Sequence, residues 1–131
     1  MRSASRMAVA GPVATMTAQG HPHAIFKRAV EHGNLLVAET ILRSEIPRPS
    51  LGDLLELTAL IAVKDPKRHA RVAARWLQRW LDARDDATIY DVALAASLLL
   101  SLGGRYHGSA LVALREMAAS ATEHSTRRRT R

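Results

Sequence analysis

The chain contains no cysteine, so disulfides, cysteine metal ligands and cysteine nucleophiles are all excluded. Aromatic residues are scarce at 4%, so a core must rest on Leu, Ala, Val and Ile, with two tryptophans as its largest members. The 7 glycines and 5 prolines fall at boundaries rather than in runs, which argues against wholesale disorder. The longest apolar stretch, Val92 to Leu100, is interrupted by Ser97 and falls far short of the roughly 18 residues a membrane-spanning helix needs. No useful length alternates with period two, so a sheet is not expected. A cysteine-free chain without a membrane span fits a cytoplasmic location.

What remains is 131 residues, 47% of them apolar, enough for one domain with a real core. The net charge of +7 is unevenly placed. Residues 1–20 carry +2, 21–66 carry −1, 67–84 carry +5, 85–126 carry −3 and 127–131 carry +4. The central part is nearly neutral apart from one basic segment. At the amino terminus, Arg2 and Arg6 precede Met7-Ala8-Val9-Ala10, a run too short for the apolar part of a signal peptide. The expected organisation is a flexible tail over 1–20, a single all-helical domain over 21–120 and a basic disordered tail over 121–131.

Punctuation divides residues 22–120 into six helical stretches. The first runs from Pro22 to His32, with Gly33 suited to the left-handed closing position. Asn34 caps the second, which reaches Glu45 before Pro47 and Pro49 force a break. Ser50 with Asp53 forms a capping box for a third helix, Leu51 to Lys64. Asp65 as cap and Pro66 at the first helical position start the fourth, which ends near Ala83. Thr88 with Asp91 repeats the box and opens the fifth, Ile89 to Leu102, closed by Gly103-Gly104. The sixth begins near Tyr106 and fades through Ala118, Ala119 and Ser120. The third and fifth are the most apolar, as expected of helices covered on both sides. Short connections pair the six into three antiparallel hairpins, forming either a short helical-repeat-like stack or a compact orthogonal bundle.

The fourth helix has two unlike faces. At about 100° per residue, Arg68, Arg71, Arg75 and Arg79 share an arc of roughly 60°. Trp76, Trp80, Leu77 and His69 lie on the opposite, apolar side and form the expected core seam. Within the stripe's span the acidic neighbour is Asp82, three residues after Arg79. The bland reading of the stripe is a solvated face neutralised from a neighbouring helix. The sharper readings are a protein-docking face or a phosphate-backbone contact, with Arg127, Arg128, Arg129 and Arg131 adding non-specific affinity. Helix-turn-helix patterns around Gly33 and Gly103 are unspecific, and the helix after Gly33 offers few donors for base edges.

Chemistry finds little support. His21 and His23 are the one close histidine pair, with His32 on the same helix face as His23, but a metal site needs a third and usually a fourth ligand and cysteine is absent. His69 belongs with the tryptophans, and His107 has no sequence-near carboxylate. Glu56 is the one charge between Asp53 and Lys64, expected to meet solvent or an arginine of the fourth helix. Gly103-Gly104 lacks the lysine of a phosphate loop. No catalytic residue, metal or cofactor is expected, and the protein is not expected to be an enzyme.

The helical pairs resemble small helical-hairpin scaffolds in general, without the tetratricopeptide pattern of Trp, Leu-Gly, Tyr and Pro at set positions. That resemblance implies binding through a groove or face. The expected function is therefore a non-enzymatic scaffold or adaptor that binds a protein partner or self-associates. The alternative is an accessory nucleic-acid-binding protein using the arginine stripe and the basic tail.

Overall fold

The computed structural model describes residues 21–130. The expected amino-terminal tail, 1–20, and Arg131 lie outside the described residues. Six helices follow in order: α1 His21–Glu31, α2 Leu35–Ser44, α3 Leu51–Lys64, α4 Pro66–Ala83, α5 Ile89–Ser101 and α6 His107–Thr130. There is no strand among the described residues, and the fold is all-α as expected.

Most of the boundaries form through the chemistry that the sequence suggested. Gly33 takes a φ of 69°, where a side chain would be strained, and the Asn34 N–H donates back to the Ala29 carbonyl at 2.8 Å. Asn34 Oδ1 accepts from the Val37 N–H at 3.2 Å. Both capping boxes close in both directions: Ser50 with Asp53, and Thr88 with Asp91. Asp65 departs from expectation. It occupies the cap position of α4 but makes no side-chain cap bond, because its carboxylate instead accepts from Arg68 Nε at 2.8 Å. A charged donor one turn away outcompetes a backbone amide, and Pro66 already leaves that end with one N–H fewer to satisfy.

The chain forms two compact units, one ending at Pro47 and the other beginning at Arg48. The boundary falls at Pro47-Arg48-Pro49, which cannot continue a helix. In the first unit α1 and α2 pack as a hairpin, with Phe26, Ala29, Ala38 and Leu42 buried.

The second unit is a compact bundle of α3 to α6. Helix α3 packs on α4 and α6, while α6 also meets α4 and α5. One core runs through it, with Leu55 and Ala59 from α3, Trp76 and Trp80 from α4, Leu99 from α5, and Leu114, Ala118 and Ala121 from α6. Helix α3 buries Leu55 and the whole run Thr58 to Ala62, as expected of a covered helix. Helix α5 does not: only Ala95 and Leu99 are buried, and its outer side remains open. High apolar content alone does not say how many sides of a helix are covered.

Helix α6 continues to Thr130, past the fading point near Ser120 and through the stretch expected to be a disordered tail. Ala121 is still in the core, so apolar anchorage outlasts the Ala-rich segment. Beyond it, the Thr122 and Thr126 hydroxyls donate to carbonyls one turn back, and Asp85 holds His124 and Arg128. Those last two contacts come from about forty residues upstream, outside any local sequence window.

Candidate functional site

Helix α4 is fixed by its tryptophan face. Trp76 and Trp80 are fully buried, and each indole N–H has a backbone acceptor. Trp76 Nε1 donates to the Leu51 carbonyl at 2.9 Å, tying α4 to the start of α3. Trp80 Nε1 donates to the Met117 carbonyl at 3.3 Å, tying it to α6. Leu77 packs half-buried on the same core. Anchoring of this kind fixes the rotation of α4 about its axis, and hence the direction in which the opposite face points.

His69 lies at the upper end of that seam, half-buried, with its ring about a van der Waals contact from where a side chain on Gly103 would begin. Its Nε2 is buried without a hydrogen-bond partner. His107 Nδ1 lies 2.7 Å from the Leu102 carbonyl, where it satisfies the end of α5.

The arginine side divides in two. Arg68 is paired with Asp65. Arg71, Arg75 and Arg79 are exposed and make no hydrogen bond or ion pair among the described residues. Asp82, the expected neighbour of Arg79, instead accepts from Gln78 Nε2 at 3.2 Å. The three guanidinium groups spring from points about 6 Å apart along the axis, four residues to a step. By contrast, Arg84, Arg115, Arg127 and Arg128 of the same unit each reach a carboxylate. The unit therefore supplies carboxylates to these four and to Arg68, and it directs none of them to Arg71, Arg75 or Arg79.

The expected basic tail behaves differently. Arg127 pairs with Glu123 at 3.8 Å and Arg128 with Asp85 at 3.1 Å, while Arg129 is exposed. Arg131 lies outside the described residues. Partial neutralisation weakens the case for this segment as a phosphate-binding arm.

A second polar cluster went unforeseen. In the loop between α4 and α5, Asp85 Oδ1 lies 3.1 Å from His124 Nε2, and Asp86 Oδ1 lies 3.7 Å from the same nitrogen. Arg84 Nε donates to Asp86 at 2.8 Å, stacks over Trp80 with 5.6 Å to the ring centroid, and lies within 3.6 Å of Asp91. The His124 contact and Arg128 hold the Asp85 carboxyl below its ordinary range, and the Arg84 hydrogen bond does the same for Asp86. Asp85, Asp86 and His124 are also the one grouping among the described residues whose ligand atoms could converge on a metal, lying within 4.8 Å of one another. Two arginines already answer the carboxylates, so the cluster works as a clasp of α6 onto the loop. Only the adjacency of Arg84, Asp85 and Asp86 was visible beforehand, and His124 had no sequence link to them.

Glu56 meets an arginine of α6 rather than of α4. Arg115 Nε and Nη2 donate to its two carboxylate oxygens at 2.7 and 2.9 Å, which raises the Arg115 pKa. His21 and His23 stand exposed in the first turn of α1, with His32 exposed just after it. Comparison with family models, with curated proteins and with solved structures found no match.

Proposed function

We propose that this protein is a non-enzymatic helical adaptor that docks a protein partner carrying an acidic surface. Its contact residues are Arg71, Arg75 and Arg79, with Arg68 at the edge of the row. The observation that carries the proposal is the contrast within one unit: three exposed, evenly spaced arginines lack a carboxylate, while Arg68, Arg84 and Arg115 each have one. Like charges so spaced repel by a few tenths of a kcal/mol per pair, a cost that an anionic partner removes. The row sits on a helix locked at both tryptophans, so its backbone needs no ordering on contact. A carboxylate presented at helical spacing suits the guanidinium fork bidentately.

A non-enzymatic role is supported by the histidines of the bundle, each of which has a structural task. His69 fills the seam, His107 meets the end of α5 and His124 belongs to the clasp. Self-association belongs to the same proposal. So does a cytoplasmic location, which rests on the cysteine-free composition and is checked by cell fractionation.

The alternative, a phosphate-backbone contact, draws on the same three side chains and separates in one titration. Fluorescence anisotropy is recorded with a labelled acidic helical peptide, bearing Glu every fourth residue, and with a labelled DNA duplex. Both are titrated at several salt concentrations with the native chain and with Arg71→Gln/Arg75→Gln/Arg79→Gln. The adaptor reading expects peptide binding that the substitutions weaken at least ~10-fold, with duplex binding weaker than peptide binding. Tighter duplex binding with a steep salt slope, lost in the variant, replaces the adaptor reading with the nucleic-acid one. Binding of neither probe removes the row as an anion site.

A further inference from the structure

The α1–α2 hairpin holds an open cleft of about 190 Å³ beside its turn. Its walls are Ile25, Arg28 and Ala29 of α1, His32 just beyond, and Asn34 and Val37 at the start of α2. Positions 25, 28, 29 and 32 recur at helical spacing and so share one side of the first helix. Ala29 is small and buried, and it leaves the hollow that Ile25 and Val37 border. The turn fixes the walls. With Gly33 left-handed, the Asn34 N–H donates to the Ala29 carbonyl at 2.8 Å, and Asn34 Oδ1 accepts from the Val37 N–H at 3.2 Å.

The same bonds decide what the cleft can hold, because they occupy its acceptors. The Arg28 carbonyl takes the His32 N–H, the Ala29 carbonyl takes that of Asn34, and the Asn34 carbonyl takes that of Ala38. What remains on the walls donates: the Arg28 guanidinium, the Asn34 Nδ2 hydrogens and a ring N–H of His32. Arg28 is exposed and has no carboxylate among the described residues, and no acidic side chain lines the cleft. Donors around an apolar floor suit a ligand that only accepts and that carries hydrocarbon. We infer that this cleft binds the carboxylate of a small branched acid, supplied either as a free acid or as the carboxyl terminus of a peptide. The carboxylate takes the guanidinium fork and the Asn34 amide, and the hydrocarbon covers Ile25, Ala29 and Val37. The cleft is smaller than the roughly 300 Å³ at which pockets for drug-sized ligands begin, so the occupant has only a handful of carbons. The inference uses none of the residues of the arginine row.

Two-dimensional amide NMR of the full chain, titrated with isovalerate, reads the site directly. Saturable shifts confined to residues 25–37 are expected, with a dissociation constant of about 1 mM. Isoamyl alcohol keeps the hydrocarbon without the charge and acetate keeps the charge without the hydrocarbon, and each is expected to bind at least ~10-fold more weakly. These comparisons need no variant. Arg28→Gln is expected to weaken isovalerate at least ~10-fold, as is Val37→Phe, which fills the cleft and leaves its charge in place. Arg71→Gln/Arg75→Gln/Arg79→Gln is expected to change nothing here. A short peptide ending in leucine distinguishes the sources: tighter binding than isovalerate assigns the cleft to chain termini, weaker binding to free acids, and its terminal amide is expected not to bind. Failure to saturate below about 50 mM overturns the inference. So does equal binding of the alcohol or of the amidated peptide, or an affinity that Arg28→Gln leaves unchanged.

Discussion

At the scale of single residues, two contacts made across long sequence separations decide how α4 and α6 sit in the bundle. Trp80 is buried and hydrogen-bonded to α6, so Trp80→Phe removes both packing volume and one indole donor. A loss of about 1–3 kcal/mol is expected, measured by urea denaturation, since the core loses packing volume and the indole's bond to the α6 backbone. The Glu56–Arg115 fork is only part-buried, so screening by solvent limits its worth. Glu56→Gln is expected to cost about 0.5–1 kcal/mol, and a double-mutant cycle with Arg115→Gln should recover most of that as coupling. The tryptophan seam could be read from the sequence because its spacing is helical and local. Glu56 was legible as an anomaly, a lone charge on an apolar helix, but its partner lies fifty-nine residues away. No periodicity points to such a partner, and the arginine was expected from α4. Asp65 shows a different limit: side-chain type identified a cap position, yet the competition between an amide and a guanidinium for one carboxylate is settled only by geometry.

At the scale of elements, ends were more legible than lengths or coverage. Caps are local chemistry, so Gly33, Asn34 and the boxes at Ser50 and Thr88 stand where the sequence placed them. Thr88→Ala is expected to lower stability by about 1 kcal/mol, read as a shift of the urea midpoint at unchanged slope. The extent of α6 was not legible, because its last turns are held by a clasp whose other half lies between α4 and α5. Asp85→Asn/Asp86→Asn is expected to speed amide exchange at residues 122–130 while leaving exchange in α3 unchanged. The clasp also has a definite pH sense. Both aspartates are held below their ordinary pKa, so their contribution is present above the unfolded carboxylate range and is lost as pH falls through the folded values. Protection of the α6 end, taken relative to the intrinsic exchange rate at each pH, is therefore expected to fall on acidification below about pH 4. The open side of α5 was likewise hidden, since composition reports how apolar a helix is and not how many neighbours it has.

At the scale of the whole molecule, the division into two units and the basic row on α4 set what the chain offers to others. Arg68, Arg84, Arg115, Arg127 and Arg128 of the bundle are answered by carboxylates, whereas Arg71, Arg75 and Arg79 stand unanswered in a row on one fixed helix face. The sequence located that face correctly on a helix surface, yet whether acidic residues folded back onto it depended on tertiary packing. The measurement that reaches the central claim most directly is a two-dimensional NMR titration of the full chain with the acidic helical peptide, observing arginine Nε–Hε groups. The expected result is saturable shifts at Arg71, Arg75 and Arg79, with Arg115 and Arg84 unmoved in their ion pairs. Shifts confined to Arg129 and its neighbours, or spread evenly over every arginine, would contradict the docking role of the row.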